Sequence, residues 1–128
     1  MSFTVGEHSV QPLRRILTMY LEGWGLAALT DGATLALSEL VTNVVRHVPD
    51  RRCAVLILRR SGGIRVEVSD DSPELPTPPA PPGHSPDGGE LAEDGRGLLL
   101  VEAATTRWGV TVLPERAGKT IWFEYDDV

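Results

Sequence analysis

The chain has 128 residues, 41% of them hydrophobic and 23% charged, with a formal net charge of −6. That length suffices for one domain with a real hydrophobic core, and the acidic balance argues against a phosphate-neutralising nucleic-acid surface. The single cysteine, Cys53, excludes an internal disulfide and suits a reducing cytoplasm; no apolar run approaches about 18 residues, so a soluble, non-exported protein with no membrane contact is expected.

Residues 3 to 5 read as a short strand. From Ser9 to Trp24, the residues Val10, Leu13, Ile16, Leu17, Tyr20, Leu21 and Trp24 follow the helical period. Pro12 is tolerated in the first turn, and Gly23 and Gly25 mark the end. A second helix runs to about His47, before Pro49, with Thr30 or Asp31 as its cap. Its apolar face is Leu37, Leu40, Val41, Val44 and Val48. "CAVLILRR" and "IRVEVSD", separated by Ser61-Gly62-Gly63, predict a hairpin. Cys53 opens the first of these strands, as a buried structural thiol.

The segment from Asp71 to Asp94 holds seven of the ten prolines, no Lys or Arg and almost no large apolar residue. It cannot bury enough surface to offset its ordering entropy, so a long mobile loop is expected. "GRGLLLVEAAT" then reads as a helix opening on two glycines. "RWGVTVLP" and "KTIWFEY" make a last antiparallel pair. The order predicts an α+β protein: a two-layer sandwich with a mixed, mostly antiparallel sheet and helices on one face.

Four short stretches carry candidate chemistry. In "ELVTNVVRH", Glu39, Asn43 and His47 recur every four residues, within an arc of roughly 80° at about 100° per residue. They form a polar stripe beside the buried one, which by itself also fits a solvated helix face. "VEVSDDSP" ends a strand at Asp70, where a carboxylate can accept from an amino group or shape a turn. "DGRGL" places Gly95 and Gly97 where backbone N–H groups can approach an anion at a helix start. It is not a dinucleotide fingerprint, because position 100 is Leu and no strand immediately precedes it. In "GKTIWFEY", Lys119 is the sole lysine, and at a hairpin turn it is expected to be solvated.

In order and spacing, E-x-x-x-N-x-x-x-H on a helix, V-x-D-x-S-P at a strand end, a long loop and G-x-G-L opening a helix resemble the Bergerat ATP-binding fold. This is the GHKL superfamily of gyrase, heat-shock chaperone, histidine kinase and mismatch-repair ATPases. Within it, "SELVTN", "RH", "GRGL", "WG" and "GKTIWFE" are most similar to the single-domain RsbW-type anti-sigma factors of actinobacteria, which are serine kinases. The likeness spans about Ser9 to Tyr125.

The resemblance implies that the polar stripe faces an ATP pocket. Asn43 would ligate Mg²⁺ through its amide oxygen, and Glu39 would be the catalytic base. Arg46 and His47 match positions near the phosphates. Asp70 would read the adenine amine, with Ser72 and Thr120 in the same nucleotide-binding set. Gly95, Arg96, Gly97 and Leu98 would close over the triphosphate. Relatives carry glycines after the strand-end aspartate; here Ser72 and Pro73-Glu74 stand instead, and with six acidic side chains in the loop the expected ATP affinity is modest. The implied function is a protein serine/threonine kinase that also inhibits a sigma factor and phosphorylates an anti-anti-sigma partner, with a homodimer as its state in many relatives. The alternative is a catalytically silent module whose ATP occupancy sets a partner-binding conformation. Separate dimerisation and phospho-acceptor helices, as in a two-component histidine kinase, are absent from this sequence.

Overall fold

The computed structural model describes residues 2–4, 9–48, 50, 52–72, 100–112 and 118–127. The chain begins with strand β1 (Ser2–Thr4), followed by helices α1 (Val10–Gly23) and α2 (Thr30–His47). Strands β2 (Arg52–Arg60), β3 (Gly63–Asp70), β4 (Arg107–Val112) and β5 (Lys119–Asp126) follow. Residues 100–104 are helical. The loop expected over 71–94 lies outside the described residues from position 73 onward.

Helix α1 forms because Leu13, Leu17 and Leu21, one turn apart, all turn inward. Its end is specified locally. Gly25 takes the left-handed conformation (φ +73°), the Leu26 N–H bonds the Leu21 carbonyl at 2.8 Å, and the Gly25 N–H bonds that of Glu22 at 3.2 Å. This paired closure, with buried Leu21 and Leu26 at its two ends, is a Schellman stop. Tyr20, expected inward, is exposed and stacks on Trp24 at 5.3 Å between ring centroids. The seven apolar positions cover more of the helix than its leucine stripe can bury.

Helix α2 starts differently from the expectation that Thr30 or Asp31 caps it. A 3-10 turn, Ala27–Leu29, leads into the helix with Leu29 already in helical dihedrals, and Thr30 is the first helical residue. Asp31 instead sits in the first turn, and Arg46 and His47 in the last, each on the end of the helix dipole that favours its charge or donors. Leu37, Leu40, Val41 and Val44 are buried, with Val48 just beyond the helix.

The five strands among the described residues order as β1-β2-β3-β5-β4, and each neighbouring pair is antiparallel. Arg60 pairs with Gly63, so Ser61 and Gly62 alone make the β2–β3 turn, with Gly62 at φ +75°. Along β3, Ile64, Val66, Val68 and Asp70 are buried while Arg65, Glu67 and Ser69 are half-buried on the other face. Strand β5 repeats the alternation: Lys119, Ile121 and Phe123 join the buried face. Helix α2 packs on β3 and β5, and α1 packs on α2. Burying one side chain such as Phe123 or Leu37 contributes roughly 1.5–3 kcal/mol, so this single layer contact dominates the core.

The outward sheet face carries exposed Leu56 and Leu58 on β2 beside a cross-braced set of charged side chains. Glu124 receives Arg107 at 2.7 Å, Arg65 at 3.0 Å and Arg60 at 3.3 Å. Asp126 takes Arg107 and Arg60 as well, and Glu67 takes Arg65. The Arg65 guanidinium lies 4.2 Å above the Trp122 ring.

Candidate functional site

On α2, Glu39, Asn43 and His47 are all half-buried, and Arg46 is exposed. The stripe is therefore not a freely solvated face. The direction of α2 matters. A Cβ built on Gly32, in its first turn, would lie 2.5 Å from Tyr125 Cε2 and 2.7 Å from the Ala104 carbonyl oxygen. Tyr125 pairs with Ile64, so α2 starts beside the end of the sheet where β3 begins. Its later turns, which carry Glu39, Asn43 and His47, lead toward the end that bears Asp70 and Lys119.

At that end lies a buried ion pair. Lys119 Nζ sits 2.9 Å from Asp70 Oδ1, with 4% and 5% of the two residues exposed. The Ser72 N–H donates to the same Oδ1 at 2.9 Å, and Lys119 Nζ reaches the Ser72 carbonyl at 3.3 Å. Strand register makes the pair, because Asp70 and Lys119 are direct partners across β3 and β5. Lys119 thus departs from the solvated turn residue expected of it. Its parity with Ile121 and Phe123 was the available signal: alternate residues of a strand share a face.

Thr120, by the same alternation, belongs to the opposite face. Its hydroxyl lies 2.7 Å from that of Ser69, which is its register partner. In the sequence-based set Thr120 accompanied Asp70; in the fold it is Lys119 that meets Asp70, and Thr120 meets Ser69. Ser72 joins the Asp70 cluster through its backbone. Gly95, Arg96, Gly97 and Leu98 lie outside the described residues.

Cys53 completes the neighbourhood on β2, one residue before Ala54, whose partner is Ser69. Burial pushes its thiol up to about 11, and the charge of Asp70 pushes in the same direction. A thiol held that high is protonated and inert at neutral pH, so it is structural, as expected from its place in the strand.

The arrangement suits a nucleotide with a divalent cation. A strand-end carboxylate can accept from a purine amine, while Asn43 offers a hard oxygen and Glu39 a carboxylate one turn earlier. Mg²⁺ in phosphate sites characteristically takes one or two protein oxygens and fills its remaining positions with phosphate and water, so this donor set fits. Among the described residues, no helix is long and apolar enough to cross a membrane.

The sequence profile of the histidine kinase-like ATPase domain family matches residues 3–125. The chain is also similar to an uncharacterised protein of Streptomyces coelicolor, 38% identical over 76 residues, which cover 58% of this chain and 68% of that protein.

Proposed function

Because the chain belongs to the histidine kinase-like ATPase domain family, we propose that it binds ATP with Mg²⁺ and acts as a protein serine/threonine kinase on an anti-anti-sigma partner, while sequestering a sigma factor. The observation that carries this reading is the half-buried stripe of Glu39, Asn43 and His47 on the helix that leads toward buried Asp70. A fully solvated helix face would leave this carboxylate and amide, one turn apart, more exposed than they are.

In this reading Asp70 accepts a hydrogen bond from the adenine amine. Its Oδ1 is already engaged by Ser72 and Lys119, which fixes the plane of the carboxylate before a base arrives. Asn43 holds Mg²⁺ through its amide oxygen, and Arg46 and His47 lie next along the helix on the phosphate side. Bound ATP would supply the transferable phosphoryl group and leave as ADP. Glu39 takes the proton from the attacking serine hydroxyl, one turn from the metal ligand. The protein's task is positioning and charge stabilisation, which dominate phosphoryl transfer.

The test is incubation with Mg²⁺ and ATP labelled on the terminal phosphate, in the presence of proteins co-purified with the chain. Label on a serine of a small captured partner is the expected result. ATP binding with no transfer to any captured protein would favour the silent binding module instead, and no ATP binding at all would overturn both.

A further inference from the structure

Buried ion pairs contribute little net stability, because replacing both partners by apolar side chains is often neutral or favourable. The Lys119–Asp70 pair therefore needs a reason beyond folding. Among the described residues its hydrogen bonding is also incomplete. Both donors to Asp70 converge on Oδ1, and among the described residues no donor reaches Oδ2. Lys119 directs two of its three N–H bonds at Asp70 Oδ1 and the Ser72 carbonyl, and among the described residues nothing accepts the third. Asp70 Oδ2, to which no described residue donates, and the third N–H of Lys119 thus stand side by side at one strand end, on the sheet face that carries α2.

We propose that Lys119 is a base-reading residue, donating to the purine ring nitrogen N1 while Asp70 accepts from the neighbouring 6-amino group. This rests on the nucleotide reading above and adds a second contact to it. Adenine presents a donor at its 6-amino group and an acceptor at N1. Guanine presents the reverse, an acceptor at O6 and a donor at N1. A carboxylate and an ammonium held in fixed order by strand register complement adenine and oppose guanine. Guanine would set its carbonyl against the carboxylate and its N1–H against the ammonium, leaving buried polar groups mismatched. Sites built on such contacts discriminate strongly against an analogue that lacks the matching group.

The experiment compares, by calorimetry with Mg²⁺, the binding of ATP, GTP and the 1-deaza analogue of ATP, in which N1 is replaced by C–H. The parent chain should bind 1-deaza-ATP roughly tenfold to a hundredfold more weakly than ATP, the loss of one charge-assisted hydrogen bond, and should reject GTP. In Lys119→Met the two adenine nucleotides should bind alike. Parental affinity for 1-deaza-ATP, or a difference that survives in Lys119→Met, overturns the role of Lys119 while ATP binding stands. Failure of the parent to bind ATP overturns the reading beneath it. If Lys119→Met does not fold, the comparison on the parent chain decides. Lys119 is the only lysine, so in protein labelled with ¹³C at the lysine ε-carbon a single resonance should move when ATP binds; an unmoved resonance at saturation contradicts direct contact.

Discussion

Asn43 and Glu39 occupy one half-buried strip of α2, yet their proposed contributions differ in kind. A metal ligand is needed in the ground state; a general base acts chiefly in the transition state, contributing about 10²- to 10⁴-fold. Asn43→Ala should therefore abolish Mg²⁺-dependent ATP binding and leave the circular-dichroism spectrum unchanged; Mg-ATP affinity equal to the parent's would refute the ligand role. Glu39→Gln should bind ATP within a few-fold of the parent and transfer phosphate to the partner very slowly. Transfer at the parental rate would remove Glu39 from the chemistry. Cys53 provides a residue-level test of the buried end of the sheet. With its thiol raised to about 11, the folded protein should resist iodoacetamide at pH 8, whereas the unfolded chain alkylates readily because an ordinary thiol ionises near 8.5. Equal alkylation rates in the two states would mean that this strand end opens freely.

Two elements meet with little tolerance where α2 begins. Gly32 costs helix propensity, about 1 kcal/mol against alanine, so by propensity alone its replacement stabilises. The close approach of Tyr125 and of the Ala104 carbonyl reverses that sign. The carbonyl is backbone and cannot rotate aside. Overpacking of this kind costs roughly 1–3 kcal/mol, and Gly32→Ala should lower stability in denaturant titration rather than raise it. On the other sheet face, Glu124 of β5 ties β2, β3 and β4 together through three arginines. Hydrogen bonding from Arg107 holds its carboxyl below the ordinary value of 4.5, with Arg65 and Arg60 adding to the effect and partial burial opposing it. A depressed folded-state value means the stabilisation is complete above about 4.5 and is lost as pH falls through the lower folded value. Glu124→Gln should cost about 1–2 kcal/mol at pH 7, between exposed and buried ion pairs. The gap between variant and parent should close as unfolding is measured at progressively lower pH below 4.5. A gap unchanged in acid would show that the carboxylate charge is not what matters.

For the whole molecule, nucleotide binding and folding are linked by mass action. A ligand at about 100 times its Kd stabilises the folded state by about 2.7 kcal/mol, which for a domain of this size is a rise in Tm of roughly 10 °C. Mg-ATP should produce that shift in the parent, and Asp70→Ala, if it folds, should not respond. An equal shift in Asp70→Ala would place adenine elsewhere. The Asp70→Ala chain should also be less stable without ligand, because Lys119 would be left in a buried place with no carboxylate beside it.

The amino-acid sequence by itself determined most of the described elements and the family. Leucines four apart on α1, the stripe of Glu39, Asn43 and His47 on α2, and the Ser61-Gly62 turn are short-range patterns, because helix and strand periods are local geometry. The α+β layering followed from those patterns, and the family from motifs in the right order. Which face each strand residue takes was also legible, in the parity of Lys119 with Ile121 and Phe123, although a lone lysine beside a turn argued for solvent. Only the tertiary structure decided that Asp70 and Lys119, 49 residues apart, lie opposite each other, and that Thr120 meets Ser69 instead. Likewise, nothing local shows that Gly32 must stay small, or that three arginines from separate strands converge on Glu124. Pairing register is settled by closing long loops and burying a whole sheet face at once; a shift of one residue would turn Lys119 outward and bring Thr120 to Asp70.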